Sequence, residues 1–322
     1  PAPNNAGCEP VLYSAPPGSD IRDLSQTATE LVWREHRGVF AMRKPSGEAR
    51  PVLETVNPRA LAVDARYAYV GQRGAQGDGV YRVPLAGGTA EFMCAYGGMF
   101  NLVDDLVMAG DRLIMSRGMG EIVRIDTAPP YAQRVYSGRD QRRNTFQPMA
   151  ASEHAVWFAR PGNRRNPGGY ARLDLETGAV TPIAPPVQTI AAQGGTVVVV
   201  RGEPGLRAAL DFNAQHAAIH FANEVSGEVD ATPWWQGSLV FGVTVSDGEV
   251  FFRTNVDRPA TGMPSDGWLR GRVGATARTF KRCRANENLG RAPLGGVRDG
   301  DRIYQIVNSL ATGHQIVAIT AE

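Results

Sequence analysis

The chain has 322 residues, of which 43% are hydrophobic, and its formal net charge is +2 at pH 7. This near-neutral charge excludes a general electrostatic affinity for nucleic acid or anionic membrane surfaces, so we expect no nucleic-acid partner. No run approaches the ~20 consecutive apolar residues of a membrane-spanning helix, so no transmembrane segment is predicted. The 37 glycines and 22 prolines indicate many turns in a chain long enough to bury a large core.

A pair of short strands recurs about every forty residues along the chain. The clearest copy occupies residues 61–93 and reads LAVDARYAYVGQRGAQGDGVYRVPLAGGTAEFM. Its first strands flank a polar turn, and a later strand alternates apolar residues with arginine, as a half-buried strand requires. One such unit cannot bury its apolar face alone. Repeats of this length therefore predict a ring of blades, which is a β-propeller.

Seven segments fit the second strand of a blade, and most follow a tight turn containing Asp or Gly. They are Glu30–Arg34, Tyr67–Gly71, Arg112–Arg117, Ala155–Arg160, Thr196–Arg201, Glu249–Thr254 and Arg302–Val307. The seven blades, each predicted as a four-stranded antiparallel sheet, occupy about residues 20–54, 58–95, 101–137, 147–184, 187–222, 237–282 and 291–322 plus 8–15. In the third strands, the arginines that alternate with apolar residues are predicted to face solvent, namely Arg82, Arg124 and Arg172.

The two ends of the chain predict how the ring closes. The final run, Gln315–Thr320, fits a third strand with no fourth strand after it, while Pro10–Ser14 fits a strand before the first complete blade. Pairing the two completes blade seven and removes two free strand edges, which otherwise favour aggregation. The predicted fold is an all-β, seven-bladed propeller over residues 1–322, closed by its N-terminal strand.

The string VDARYAYVG…GVYRVPLAGGTAEFM resembles the blade of secreted bacterial seven-bladed β-propeller repeat proteins of the YWTD, NHL and TolB-like groups. In those groups an Asp-x-x-Tyr-x-Tyr strand precedes a Gly-x-(Tyr/Val)-Arg-(Val/Ile)-Pro-x-Gly-Gly strand. The match is close at residues 61–92, and elsewhere other residues replace the tyrosines, such as Leu113 and Met115. The resemblance implies a binding platform in many members and an enzyme in a minority. It also implies a secreted or periplasmic protein.

Motifs for catalysis or for a cofactor are absent from the sequence. His216 and His220 have the spacing of a helical metal site, but on a strand this spacing separates them by ~13 Å, too far to share a zinc ion. The acidic groups lack the alternating oxygen pattern of calcium loops, and no Gly-x-Ser-x-Gly nucleophile or phosphate-binding loop occurs. We predict no cofactor. The alternative is a metal such as Ca²⁺ in the central channel, held by residues of different blades as in lactonase-like propellers.

Loops that leave the outer strands, and loops between second and third strands, emerge on the same face of a propeller. They contain Trp, Tyr, Met and Arg residues of the types enriched at interface hot spots. The candidate binding residues are Phe100, Arg142, Arg143, Phe146, Arg164, Arg165, Trp234, Trp235 and Trp268. The predicted function is a non-enzymatic module that docks to other proteins in an envelope or extracellular assembly.

Other interpretations of these residues are open. The tryptophans fit either a surface site or a small core under their loops, and the arginines fit either a docking patch or a solvated surface. A lactonase- or hydrolase-like enzyme with a channel metal is one alternative function. The other is a lectin that binds sugars through Trp234, Trp235 or Trp268.

Three cysteines leave at least one unpaired within the chain. Cys8 and Cys283 flank the outer strands of neighbouring blades seven and six in the predicted layout. A disulfide between them would fasten the N-terminal strand and stabilise the fold by ~2–4 kcal/mol. Cys94 would then be either a small buried apolar residue or a reactive thiol.

Overall fold

The computed structural model describes residues 11–74, 77–95, 103–117, 121–137, 150–160, 169–184, 187–202, 217–237, 240, 242–246, 248–257, 265–284, 296–309 and 313–320. These residues form strands and turns, and no helix long and apolar enough to cross a membrane occurs among them. In chain order the strands are β1 (Val11–Ser14), β2 (Arg22–Gln26), β3 (Glu30–Glu35), β4 (Gly38–Arg43), β5 (Arg50–Glu54), β6 (Ala60–Val63), β7 (Tyr67–Gly74), β8 (Gly77–Pro84), β9 (Glu91–Ala95), β10 (Val103–Ala109), β11 (Arg112–Arg117), β12 (Glu121–Asp126), β13 (Gln133–Ser137), β14 (Ala150–Ala151), β15 (Ala155–Arg160), β16 (Gly169–Asp174), β17 (Val180–Ile183), β18 (Thr189–Gln193), β19 (Thr196–Gly202), β20 (Ala217–Ala222), β21 (Trp235–Gly237), β22 (Gly242–Ser246), β23 (Glu249–Asp257), β24 (Ser265–Arg272), β25 (Arg278–Arg284), β26 (Gly296–Asp299), β27 (Arg302–Ser309) and β28 (Gly313–Thr320).

The strands form seven four-stranded antiparallel sheets arranged in a ring, so the fold is the predicted seven-bladed β-propeller. Each run of four strands from β2 onward forms one blade, numbered one to six. The first strands of successive blades contact one another around the whole ring, and β26 contacts β2 to close it. The first strand of each blade therefore lies innermost.

Blade seven combines both ends of the described chain. Strand β1 pairs antiparallel with β28, with Val11 opposite Val317 and Ser14 opposite Gln315. Strands β27 and β26 complete the blade toward the centre. The prediction that an N-terminal strand closes the ring is confirmed.

The predicted bounds of blade five are wrong. The sequence predicts that this blade ends at residue 222, but β20 (Ala217–Ala222) is only its third strand, and β21, with Trp235, is the outer one. The connection between the second and third strands, residues 203–216, is longer than the repeat spacing allows. Counting at that spacing therefore ends the blade before its outer strand. Blade six accordingly begins at β22 rather than near residue 237.

The hydrophobic core lies between neighbouring blades. Because side chains alternate along a strand, each second strand contributes to two junctions. In β7, Ala68 and Val70 pack against Val32 of blade one, while Tyr69 packs against blade three. All four of these side chains are fully buried. Each blade therefore depends on both neighbours for the burial of its apolar surface.

Side chains also bind backbone carbonyl groups across every junction of the ring. The donor–acceptor pairs are Arg50 to Leu85, Arg82 to Thr127, Tyr136 to Leu175, Arg172 to Glu224, Trp234 to Ala275, Arg298 to Ser246 and Gln26 to Arg298. The prediction that Arg82 and Arg172 face solvent is wrong. Arg172 is 4% exposed. Its Nε donates to the Glu224 carbonyl oxygen at 2.9 Å, because the neighbouring blade covers the surface that an isolated strand would present to water.

Candidate functional site

Antiparallel pairing divides the connections of the propeller between two faces. Connections from second to third strands, and from an outer strand to the next blade, lie on one side, which we call the long-loop face. Its long connections include residues 138–149, 161–168, 203–216, 258–264 and 285–295. The other side, which we call the short-turn face, carries the first-to-second turns, such as residues 194–195. It also carries the third-to-outer connections, and residues 223–234 make one of these longer than the tight turn expected from the sequence.

Six candidate binding residues fall outside the described residues, namely Phe100, Arg142, Arg143, Phe146, Arg164 and Arg165. Their role stays a prediction. The structure does describe the strands on either side of the arginine-rich segments. Residues 138–149 enter blade four through β14, and residues 161–168 join β15 to β16 of the same blade. Each segment therefore has an end on blade four, at the adjacent strands β14 and β15.

The charge of these two segments differs from that of the whole chain. Residues 138–149 and 161–168 together contain five arginines and one aspartate, whereas the complete chain has a net charge of only +2. Strand β15, which leads into residues 161–168, is deeply buried, since Val156 and Trp157 are at most 1% exposed. Binding residues are commonly carried by loops on such a buried scaffold.

The tryptophan candidates occupy packed positions. Trp235 lies in β21, and its ring centroid is 4.7 Å from that of Phe252 in blade six. Trp234 contacts the same ring at 5.8 Å, and its Nε1 donates to the Ala275 carbonyl oxygen on the short-turn face. Both side chains are half-buried. Their predicted position in a loop of the long-loop face is therefore wrong, because they belong to the junction of blades five and six.

Trp268 was also expected in a loop. It lies within β24, is 4% exposed, and packs with Phe251, Ile303 and Ile319 between blades six and seven. The chain has five tryptophans, and the other two, Trp33 and Trp157, are also fully buried.

The histidine and cysteine predictions have different outcomes. His220 lies on a strand, as predicted, and is 5% exposed with Nδ1 at 2.8 Å from the Asp230 carbonyl oxygen. His216 and Cys8 lie outside the described residues, as does the side chain of Cys283, so the disulfide stays a prediction. Cys94 is buried, and this burial raises the pKa of its thiol. No cluster of three or more potential metal ligands occurs among the described residues.

One polar site was missed by the sequence analysis. Glu35 ends β3 toward the long-loop face, and its side chain is fully buried. Its carboxylate accepts hydrogen bonds from Tyr13 Oη at 2.6 Å, Trp33 Nε1 at 3.0 Å, Ser19 Oγ at 2.9 Å and Arg37 Nε at 2.9 Å. Strand periodicity contains the signal, because Glu35 shares a face with Leu31 and Trp33, which are both buried against blade seven.

Electrostatics keeps the Glu35 carboxyl charged. Burial by itself raises its pKa, but the four donors together hold the pKa below its ordinary value of 4.5. Burial and the hydrogen bond to Glu35 raise the pKa of Tyr13 to about 12. Because Tyr13 belongs to β1, this network joins the closing strand of blade seven to blade one. Side chains of the protein itself donate to both oxygens of the Glu35 carboxylate, so this network supports the ring and is not arranged to bind a substrate.

Comparison with known proteins identifies the fold. The chain matches no protein-family model, and no curated protein is significantly similar to it. A chain of the Mitotic Checkpoint Complex aligns with a TM-score of 0.66 and 14% identity over 100% of this chain and 97% of that one. The WD40 β-propeller domain of Doa1 gives 0.60 and 10% identity over 97% of each chain.

A third similar structure differs in its closure. The β-propeller domain of the Trilobed protease from Pyrococcus furiosus, described as having an open velcro topology, aligns with a TM-score of 0.60. The identity is 10%, over 94% of this chain and 96% of that one. The present chain is instead closed by β1. At these identities the similarities show the β-propeller fold alone. The resemblance to secreted bacterial subgroups stays a prediction.

Proposed function

We propose that the chain is a binding module that docks an acidic protein partner on the long-loop face of blade four. The observation that carries this proposal is the concentration of charge there. Five arginines and one aspartate fall in two segments that join the adjacent strands β14 and β15 of blade four, in a chain with a net charge of +2. The remainder of the chain therefore has a net charge of about −2.

Arginine is suited to this task. Its planar guanidinium group binds carboxylates through two parallel hydrogen bonds, which gives both orientation and affinity. A basic patch also accelerates the encounter with an acidic partner, and salt weakens that acceleration because the Debye length is ~10 Å at 0.1 M. We expect the binding of the partner to weaken as the ionic strength rises.

We also propose that the partner is part of an envelope or extracellular assembly. The support is the resemblance of residues 61–92 to blades of secreted bacterial propellers. Fractionation of the source cells tests this part separately, since an exported chain should be recovered from the periplasm or the medium. Recovery only from the cytosol would contradict export and leave the docking proposal intact.

The docking test compares two variants that lose the same charge. The first replaces Arg142, Arg143, Arg164 and Arg165 with glutamine. The control replaces four arginines near the short-turn face, namely Arg66, Arg112, Arg134 and Arg272. Each protein is immobilised and used to capture proteins from the source extract, and the captured proteins are quantified by mass spectrometry. Any protein lost only with the first variant is then purified, and its affinity is measured at 50 and 200 mM salt.

We expect such a protein to have an acidic surface and to bind the first variant at least tenfold more weakly than the control. Equal capture by the two variants would refute the basic docking patch. Retention of binding at high salt would refute its electrostatic basis. Equal thermal midpoints of the two variants show that any loss arises from the binding surface rather than from unfolding.

A further inference from the structure

A cavity of about 470 Å³ lies at the junction of blades seven and one, on the short-turn face. It is bounded by the first-to-second turn of blade one, the third-to-outer turn of blade one, and the first-to-second turn of blade seven. The polar residues of its lining are Thr29, Glu30, Arg43, Lys44, Asp299 and Arg302. This volume is within the range of ~300–1,000 Å³ that is typical of small-molecule sites.

The charges around the cavity do not balance. Three cations line it, and of the two carboxylates, Glu30 is bound by Arg50, whose Nη2 lies 2.6 Å from Glu30 Oε1. Asp299 is bound by Lys44, with Nζ at 3.2 Å from Oδ2. Among the described residues, neither Arg43 nor Arg302 forms an ion pair with a carboxylate. The cavity therefore presents two guanidinium groups whose charge no described carboxylate offsets.

The floor of the cavity is ordered by Lys44. Its side chain is only 6% exposed, and Nζ also lies 3.5 Å from Gln26 Oε1. Gln26 in turn donates to the Arg298 carbonyl oxygen across the same junction. Lys44 is thus held in place by both blades, and the cavity exists only when the ring is closed.

We propose that this cavity binds a small anion with two or more carboxylate or phosphate groups. Arg43 and Arg302 bind its oxygens, and Lys44 supplies positive potential from the floor. Both ligand groups have the oxygen geometry that guanidinium recognises, so the shared chemistry is a multivalent oxyanion. The site is on the face opposite the proposed docking surface and does not depend on it.

Binding should stabilise the closed ring, because the unfolded chain has no such cavity. A ligand at 100 times its Kd should raise the thermal midpoint by about 4 °C for a protein of this length. We would measure the midpoint in citrate, malonate, pyrophosphate and inorganic phosphate, each against sodium chloride of equal ionic strength. A rise with citrate and malonate alone would assign carboxylates as the ligand, and a rise with pyrophosphate or phosphate alone would assign phosphates.

Three variants test the residues by calorimetric titration with the anion that gives the largest rise. Arg43→Gln and Arg302→Gln should each weaken binding at least tenfold. Asp299→Asn removes a competing carboxylate and should strengthen binding several-fold. The matched control is Arg66→Gln, an exposed arginine of the same face outside the cavity, which should bind as the wild type does.

Two results would overturn the proposal. One is that no anion raises the thermal midpoint above its value in sodium chloride of equal ionic strength. The other is that Arg43→Gln and Arg302→Gln bind the anion as tightly as Arg66→Gln. Arg302→Gln should lower the affinity for the anion, whereas Asp299→Asn should raise it. This difference separates ligand binding from general destabilisation, because damage to the fold would lower the affinity of both variants.

Discussion

Replacement of Glu35 by alanine should detach the closing strand from the rest of the ring. The Glu35 carboxylate joins Tyr13 of β1 to Trp33 of β3 through hydrogen bonds of 2.6 and 3.0 Å. The Tyr13 and Trp33 rings also pack at 4.8 Å. Removing the carboxylate leaves several donors without their acceptor at the one place where the two ends of the chain meet.

The expected cost follows from the burial of each donor. Trp33 is fully buried, so its unpaired Nε1 should cost ~1–3 kcal/mol. Tyr13 and Ser19 are partly exposed and can bind water, so each lost bond should cost about 1 kcal/mol. The Arg37 side chain is 49% exposed and contributes little. The sum for Glu35→Ala is about 3–5 kcal/mol, whereas Tyr13→Phe, which keeps the ring contact, should cost about 1–2 kcal/mol.

Hydrogen exchange separates local detachment from global unfolding. In Glu35→Ala, the amides that pair β1 with β28 should exchange at least tenfold faster, while those of β15 and β16 in blade four change little. Gln72→Met is the matched control, since Gln72 is 4% exposed and lies near the end of β7, away from the closure. It should leave exchange in β1 unchanged.

The pH dependence gives a second measurement. The pKa of Glu35 is lowered in the fold, so its contribution is present above about pH 4.5 and is lost as the pH falls through the lower folded value. The pKa of Tyr13 is raised to about 12, so its contribution is present below about pH 10 and is lost as the pH rises through about 12. Uniformly faster exchange in all blades, or a Glu35→Ala variant that keeps the acid sensitivity of the wild type, would refute this reasoning.

Two further predictions concern other junctions and turns. Trp268→Ala should lower the free energy of unfolding by ~3–5 kcal/mol in denaturant titrations, because it leaves a cavity between blades six and seven. A change below about 1 kcal/mol would contradict the role of Trp268 as a core residue. Asp174 accepts hydrogen bonds from Thr177 N at 2.8 Å and from Glu176 N at 3.1 Å, and these with Arg172 lower its pKa from 3.8 to about 2. Asp174→Asn should therefore be less stable than the wild type above about pH 4, by about 1 kcal/mol. The difference in thermal midpoint between the two proteins should shrink toward pH 2. A constant difference across this range would show that the carboxylate charge is not the cause.

The strand pattern of the sequence determined the fold, the number of blades and the closure. Alternation with period two identifies a strand locally, and pairing the third strand Gln315–Thr320 with Pro10–Ser14 completes blade seven. These conclusions depend on the local alternation of residues and on the requirement that each strand edge pairs with another strand, so they need no knowledge of side-chain contacts between blades. The repeat count failed at blade five, where residues 203–216 interrupt the spacing.

Which side chains are buried was decided only by the tertiary structure. In a propeller each sheet is covered on both faces, so a residue that looks solvent-facing in one strand is enclosed by the next blade. Arg172 is buried for this reason and binds the neighbouring blade. Trp268 and Glu35 also find their partners in a neighbouring blade. The cavity at Lys44 likewise exists because blades one and seven, which are far apart in the sequence, meet where the ring closes.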